Sequence, residues 1–336
     1  VLYVAPDSDP TGASGAWVRA LYGAVLFSWW NAPVHGSGQT SESQLDSAIE
    51  LSAELLLPLY VDGKTYDLAA VNTFTEFGLT VYFALHPRSN MNIVGVIGQT
   101  TFRMADGQST VAVPKDCNIF AFHDVQINHV IVGVVHDLNN ANNTFDMATF
   151  TPHFGAYWCV GNSSYVVGLW ITQCEFNNGP GSNQIITGEQ TSDVQLSSNI
   201  HIWGNTFQNN GLAVSDHATV YLWGAQVWFF NNTMAQDDDL SPVGFNWVAW
   251  ENHGPNQYCY NNHMNNYVKM TNTATNLNQS EGVHDIHIYD NSGIFYHKGV
   301  NIYTGGHNTP ISALQDIFVH HNSIGLKPGW GTASVV

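Results

Sequence analysis

From about residue 166 one phrase recurs along the chain: LWITQCEF, IHIWGNTF, VWFFNNTM, QYCYNNHM, IHIYDNSG and IFVHHNSI. Each is a short run alternating apolar with other residues, then a polar corner, then usually another apolar residue. Aligned, the corner position reads Cys174, Asn205, Asn232, Asn262, Asn291 and Asn322. Self-similarity of this kind marks a repeat architecture, in which each unit buries its apolar face by stacking on the next. Successive corners are about thirty residues apart, so each repeat carries loops or extra strand besides the phrase itself.

Strand side chains point to opposite faces with period two, so the alternation sorts the residues. Five before the corner stand Leu169, Ile200, Val227, Gln257, Ile286 and Ile317, and three before it Ile171, Ile202, Phe229, Cys259, Ile288 and Val319. These two rows are the expected core, with Gln257 the one misfit. The corner asparagines are expected to stack, each amide bonding its neighbours in adjacent coils, and Asn tolerates the left-handed backbone of a tight corner. A second strand per coil is read at 218–224, 245–251, 267–272 and 299–305. Helical periodicity is confined to 41–57, where Leu45, Ile49 and, less regularly, Leu55 and Leu56 share a face. The expected fold is all-β, a right-handed parallel β-helix over 41–336. An edge segment spans 1–40, and the helix at about 41–57 caps the open end of the solenoid.

Composition agrees and narrows the partners. Hydrophobic residues are 44% of the 336, enough for a long core, whereas charged residues are only 10% against roughly 25% in ordinary domains. Aromatics at 12% argue against disorder. Eight Lys and Arg against 26 Asp and Glu leave a net charge of −18, which repels nucleic acid and acidic membranes. No apolar run is long enough to span a bilayer, and no signal peptide is apparent. Cys117, Cys159, Cys174 and Cys259 lack metal-type spacing and read as small buried hydrophobes.

The front of the chain carries a family likeness. LYGAV (21–25), SQLDSAIELSAE (43–54), LPLYVDGKTYDL (57–68) and NIVGVIG (92–98) resemble the entry segment of the pectate-lyase-like β-helix superfamily, particularly phage tailspikes and related polysaccharide-processing β-helices. The resemblance implies a capping helix, a first coil strand and a first inward rung. It departs from the superfamily where LFSWWNAPVHGSGQTSES replaces the usual Asp-rich turn. The superfamily includes lyases, hydrolases, epimerases and non-enzymatic spikes, so it implies a fold more than an activity.

The outward rows are the candidate binding surface. Four before the corner they read Trp170, His201, Trp228, Tyr258, His287 and Phe318; two before it, Thr172, Trp203, Phe230, Tyr260, Tyr289 and His320. Six rungs at the strand spacing make a stripe about 24 Å long, and exposed aromatic patches of that size mark interaction sites. One reading is a glycan groove; the other is a covered stripe, under a loop such as 137–155 or inside a homotrimer. Glycoside hydrolysis needs two carboxylates about 5–10 Å apart, and Glu189, Asp216 and Glu251 are the catalytic candidates, each otherwise a solvated or turn-capping side chain. A uronate lyase is disfavoured, since the repeats from about residue 166 offer only Lys269, Lys298 and Lys327 as strong cations and no Arg. No cofactor is expected. Asp237, Asp238 and Asp239 form the one candidate Ca2+ site, although three adjacent acids lack an alternating ligand pattern. The expected function is an extracellular or virion-surface β-helix, a homo-oligomer with a trimer as the candidate, that binds a largely neutral polysaccharide and, if it is an enzyme, hydrolyses it. The competing expectation is a non-catalytic spike whose stripe is a self-assembly interface.

Overall fold

The structure is a computed structural model that describes residues 2–4, 17–19, 23–76, 79–104, 117–122, 126–133, 135–137, 158–160, 165–177, 183–187, 197–210, 216–237, 246–275, 283–304 and 314–328. Each turn of the chain contributes three strands, and successive turns stack them into three sheets. One coil shows the plan: Gly224–Phe230 lies in the first sheet, Thr233–Ala235 in the second and Asn246–Asn252 in the third. Each strand pairs in parallel with its equivalents on the coils before and after, as Gly224–Phe230 does with Ser197–Trp203 and Gln257–Tyr260. The chain is a parallel β-helix. Antiparallel pairing among the described residues is confined to Leu2–Val4 with Trp17–Arg19 and to Asn72–Glu76 with Leu79–Leu85.

The repeat phrases form the first sheet in the expected register. Leu169, Ile200, Val227, Gln257, Ile286 and Ile317 pair in turn, as do Ile171, Ile202, Phe229, Cys259, Ile288 and Val319. Both rows are fully buried except on the last coil, where Ile317 is half-buried and Val319 is 38% exposed. That outcome departs from the expectation of burial. Leu314–His320 is the outermost strand of its sheet and packs against a neighbouring coil on one side only among the described residues.

The asparagine ladder forms, and its chemistry is complete. Asn262 Nδ2 donates to Asn291 Oδ1 on the next coil at 2.9 Å and to the Phe229 carbonyl on the previous coil at 3.0 Å. Its own Oδ1 accepts from the backbone N–H and Nδ2 of Asn232 at 2.9 and 3.0 Å. The pattern repeats from Asn205 to Asn322. The left-handed backbone, however, belongs to the residue just before: Gln173, Gly204, Asn231, Asn261, Asp290 and His321 have φ from 53° to 68°. With the turn made one residue earlier, the asparagine side chain is free to point along the axis into the ladder.

Gln257 ceases to be a misfit. Gly254 lies so close to the previous coil that a Cβ there would sit 2.0 Å from the Gly224 carbonyl oxygen. The ladder at this corner runs from His253 N–H to Leu222 O at 3.0 Å; the next donor in that register would be residue 255, which is proline and has no N–H. Gln257, fully buried, supplies the bond instead, its Nε2 donating to Gly224 O at 2.8 Å.

The helix spans Glu42–Leu55 and buries Leu45, Ala48, Ile49, Ser52 and Ala53. It packs on Val25–Leu26, Leu59–Tyr60 and Asn92–Val94, the first strands of the first sheet. Leu55 and Leu56 are not part of that face. Leu56 leaves the helix in the left-handed region at φ 53° and is 69% exposed, while Leu55 is 37% exposed.

Candidate functional site

Parallel pairing in strict register puts like side chains directly above one another, so the outward aromatics of the first sheet become columns. Trp170, His201, Trp228, Tyr258, His287 and Phe318 form one, with ring centroids 5.5, 4.4, 5.9, 4.9 and 4.8 Å apart in that order. The planes of neighbouring rings lie within 19° of parallel. Trp203, Phe230, Tyr260, Tyr289 and His320 form the second, spaced 6.0, 4.9, 5.0 and 5.1 Å. The predicted strip is therefore continuous and half-buried, becoming exposed at Phe318 and His320. Its geometry has a chemical consequence. Each inner ring spends both faces on its neighbours, so edges rather than faces turn outward. Those edges carry the indole, imidazole and phenol polar atoms. Burial raises the pKa of the Tyr260 and Tyr289 phenols, helped at Tyr289 by the nearby Asp290 carboxylate, so both remain O–H donors.

Polar rows border the two columns, and here the sequence reading missed residues. Six before each corner, Asn199, Gln226, Asn256, Asp285 and Asp316 take the left-handed conformation. Asn199 Oδ1 lies 2.9 Å from His201 Nε2, which shows that this row touches the first column. On the other border, Asn261 Nδ2 donates to Asn231 Oδ1 at 2.5 Å, and Asp290 lies 4.0 Å from His321. Asp285, Asp290 and Asp316 are thus acids that border the strip among the described residues. The signal was available in the sequence, since the residue six before the corner is Gly, Asn, Gln or Asp in every repeat.

Of the predicted carboxylates, Glu251 is fully described. It sits on the third-sheet strand Asn246–Asn252, just ahead of the corner into the first sheet. His253 Nε2 lies 3.0 Å from its Oε1, and both side chains are largely buried, 6% and 13% exposed. The imidazole stacks on Trp223 at 4.7 Å and tilts against Tyr221 at 4.9 Å. Asp216 opens the neighbouring strand Asp216–Leu222, in register with Asn246, and its side chain lies outside the described residues, as does Glu189 altogether. Asp237 is exposed and accepts from Asn209 Nδ2 at 2.7 Å, whereas Asp238 and Asp239 lie outside the described residues. Among the described residues no three metal-ligating side chains converge. Cys174 and Cys259 are buried, and burial pushes the Cys259 thiol well above its usual pKa.

Comparison with solved structures now bears on the whole. A double mutant of the tailspike protein of E. coli bacteriophage HK620, in complex with a pentasaccharide, superposes with a TM-score of 0.67 over 90% of this chain at 14% identity. A tailspike of the same phage, likewise in complex with a pentasaccharide, gives a TM-score of 0.65 at 16% identity. The fold is that of a phage tailspike β-helix. The chain spans about half the length of these tailspikes, 51% in both cases. No protein-family model matches the sequence, and no curated protein does. No helix among the described residues is long and apolar enough to cross a membrane.

Proposed function

We propose that this chain is a tailspike-like, virion-surface β-helix that binds polysaccharide along the twin ring columns of its first sheet. The observation that carries the reading is the columns themselves: an ordered strip of half-buried rings whose polar edges recur at every rung. A glycan laid along the axis meets phenol, indole and imidazole edges at a regular spacing, flanked by the amides of Asn199, Asn231, Asn256 and Asn261. Recognition is then by hydrogen bonds to sugar hydroxyls more than by stacking on sugar faces. The pentasaccharide-bound HK620 tailspikes of the same fold support a saccharide as the ligand. The test is a calorimetric titration with a panel of oligosaccharides. Trp228→Ala and Tyr260→Ala should weaken binding at least tenfold, about 1.4 kcal/mol, with the fold intact by circular dichroism. Unchanged affinity in both variants removes the strip as the binding surface.

Hydrolysis is a further part of the proposal, with Glu251 as the proton-transfer carboxylate oriented by His253 and its partner acid among Glu189, Asp216 and Asp285. A reducing-end assay on a bound glycan decides it: Glu251→Gln should abolish turnover and spare binding. The spike reading keeps one observation in its favour. Ring columns with occupied faces make a flat, aromatic strip, and aromatic side chains are enriched in subunit contacts. In that case Trp228→Ala shifts the assembly to a smaller species on size-exclusion chromatography, and the wild-type protein has no glycan affinity.

A further inference from the structure

Between apolar rungs of the third sheet lie two polar ones. Val220 and Leu222 face the core on one coil, and Val300 and Ile302 hold the same register positions three coils on. On the two coils between, those positions are Trp250 and Asn252, then Thr271 and Thr273, all fully buried. Thr273 Oγ1 donates to Asn252 Oδ1 at 2.7 Å, which settles those two atoms. Among the described residues Trp250 Nε1, Asn252 Nδ2 and Thr271 Oγ1 are left buried with no hydrogen-bond partner, as is Gln257 Oε1 on the first-sheet strand of the same coil as Thr271.

These atoms belong together. Trp250 and Thr271 are direct register partners, and Asn252 lies two residues along the same face. The indole lies flat beside Phe229, with centroids 6.3 Å apart and planes 11° from parallel, which fixes it inside the core. Each unpartnered polar group in such a place forfeits its hydration without replacement, so several at once on adjoining rungs mark a missing partner rather than tolerated strain. Buried water supplies partners of this kind, typically making 2–4 hydrogen bonds to otherwise unsatisfied groups. The set mixes donors (indole N–H, amide N–H) with acceptors (amide oxygen, hydroxyl) and contains neither a carboxylate nor a cation. Water satisfies both kinds; a metal ion or an anion satisfies only one.

We propose that the lumen between the Trp250 and Thr271 rungs is a closed hydration site, holding ordered water bonded to Trp250 Nε1, Asn252 Nδ2 and Thr271 Oγ1. The site explains how a Thr-rich strand, Lys269–Thr275, serves as a wall of the core. A crystal structure of the full chain at a resolution that shows solvent tests it, together with thermal unfolding of Thr271→Val. Valine keeps the shape and removes the hydroxyl. If water bridges the site, density appears within hydrogen-bond distance of Trp250 Nε1 and Thr271 Oγ1, and the variant melts about 1–4 °C lower. If the lumen is dry, removing an unpaired hydroxyl leaves the melting temperature unchanged or raises it, and the proposal fails. It fails equally if the crystal shows the indole and the hydroxyl bonded to protein atoms with no solvent between them. Should Thr271→Val not fold, the wild-type crystal decides alone.

Discussion

At Asn262 one side chain closes four hydrogen bonds, two accepted from Asn232 and two donated, to Asn291 and to the Phe229 carbonyl. Asn262→Ala leaves buried donors and acceptors on both neighbouring coils unpaired and should cost about 1–3 kcal/mol in urea denaturation. Asn322→Ala, on the last rung and half-exposed, should cost clearly less. Equal losses at the two positions would mean that burial does not set the value of the ladder. His201 supports a second residue-scale prediction. Sandwiched between Trp170 and Trp228, it has its pKa lowered by burial. The unfolded chain therefore holds the His201 proton more tightly than the folded one. The associated stability is fully present above the unfolded value near 6.5 and is lost as pH falls toward the depressed folded value. Melting curves between pH 7 and pH 5 should fall less steeply for His201→Phe, which keeps the ring column. A slope identical to wild type would show that His201 does not titrate in this window. The outward rows were legible because they need only the period-two rule and a correct corner. The left-handed residues were placed one position late because asparagine suits both the ladder and the turn, and composition alone does not say which task each copy performs.

Elements with a strong periodic signal came through the sequence best. The helix was read from Leu45 and Ile49, and both are fully buried, but its end was read too far: Leu55 and Leu56 face outward where the chain breaks into a left-handed residue. Apolar residues at a helix end give no indication of where the backbone turns away, which depends on the strand it must join. Ile49→Ala should therefore cost about 2–5 kcal/mol and Leu56→Ala within about 0.5 kcal/mol by chemical denaturation. Similar costs at both would contradict the observed face. Capping by this helix remains our proposal: deleting 41–57 should uncover the first strands' edges and drive aggregation, visible by light scattering. The third-sheet strands were legible as strands but not as a site. Glu251 was singled out as a lone acid, whereas its partner His253 follows the strand at a corner built by Gly254 and Pro255. Only the three-dimensional path through that corner brings the imidazole back onto the carboxylate.

At the scale of the whole molecule, a solenoid is nearly one-dimensional: each coil contacts only its neighbours, so stability is a sum of coils and of the interfaces between them. The two ends of the described stack are unequal. At the first end the helix lies on the opening strands, with Val25, Leu59 and Ile93 fully buried. At the last end Lys298–Thr304, Leu314–His320 and Ser323–Leu326 are all outermost strands of their sheets. Ile302, Phe318 and Val319 are 40%, 47% and 38% exposed there, against complete burial of Ile286 and Ile288 one coil earlier. Among the described residues the last coil thus pairs and packs on one side only, and local opening is governed by that deficit. Hydrogen exchange read by mass spectrometry should show a gradient. Peptides covering 314–326 should exchange fastest, those covering 283–295 more slowly, and those covering 224–235 most slowly of the three. Val319→Ala should leave global stability within about 1 kcal/mol, while Ile288→Ala, at the equivalent position one coil inward, should cost about 2–5 kcal/mol. Uniform protection from 224 to 326 would overturn this picture, because it requires the final coil to be covered in solution, and the Val319→Ala cost would then rise toward that of Ile288→Ala.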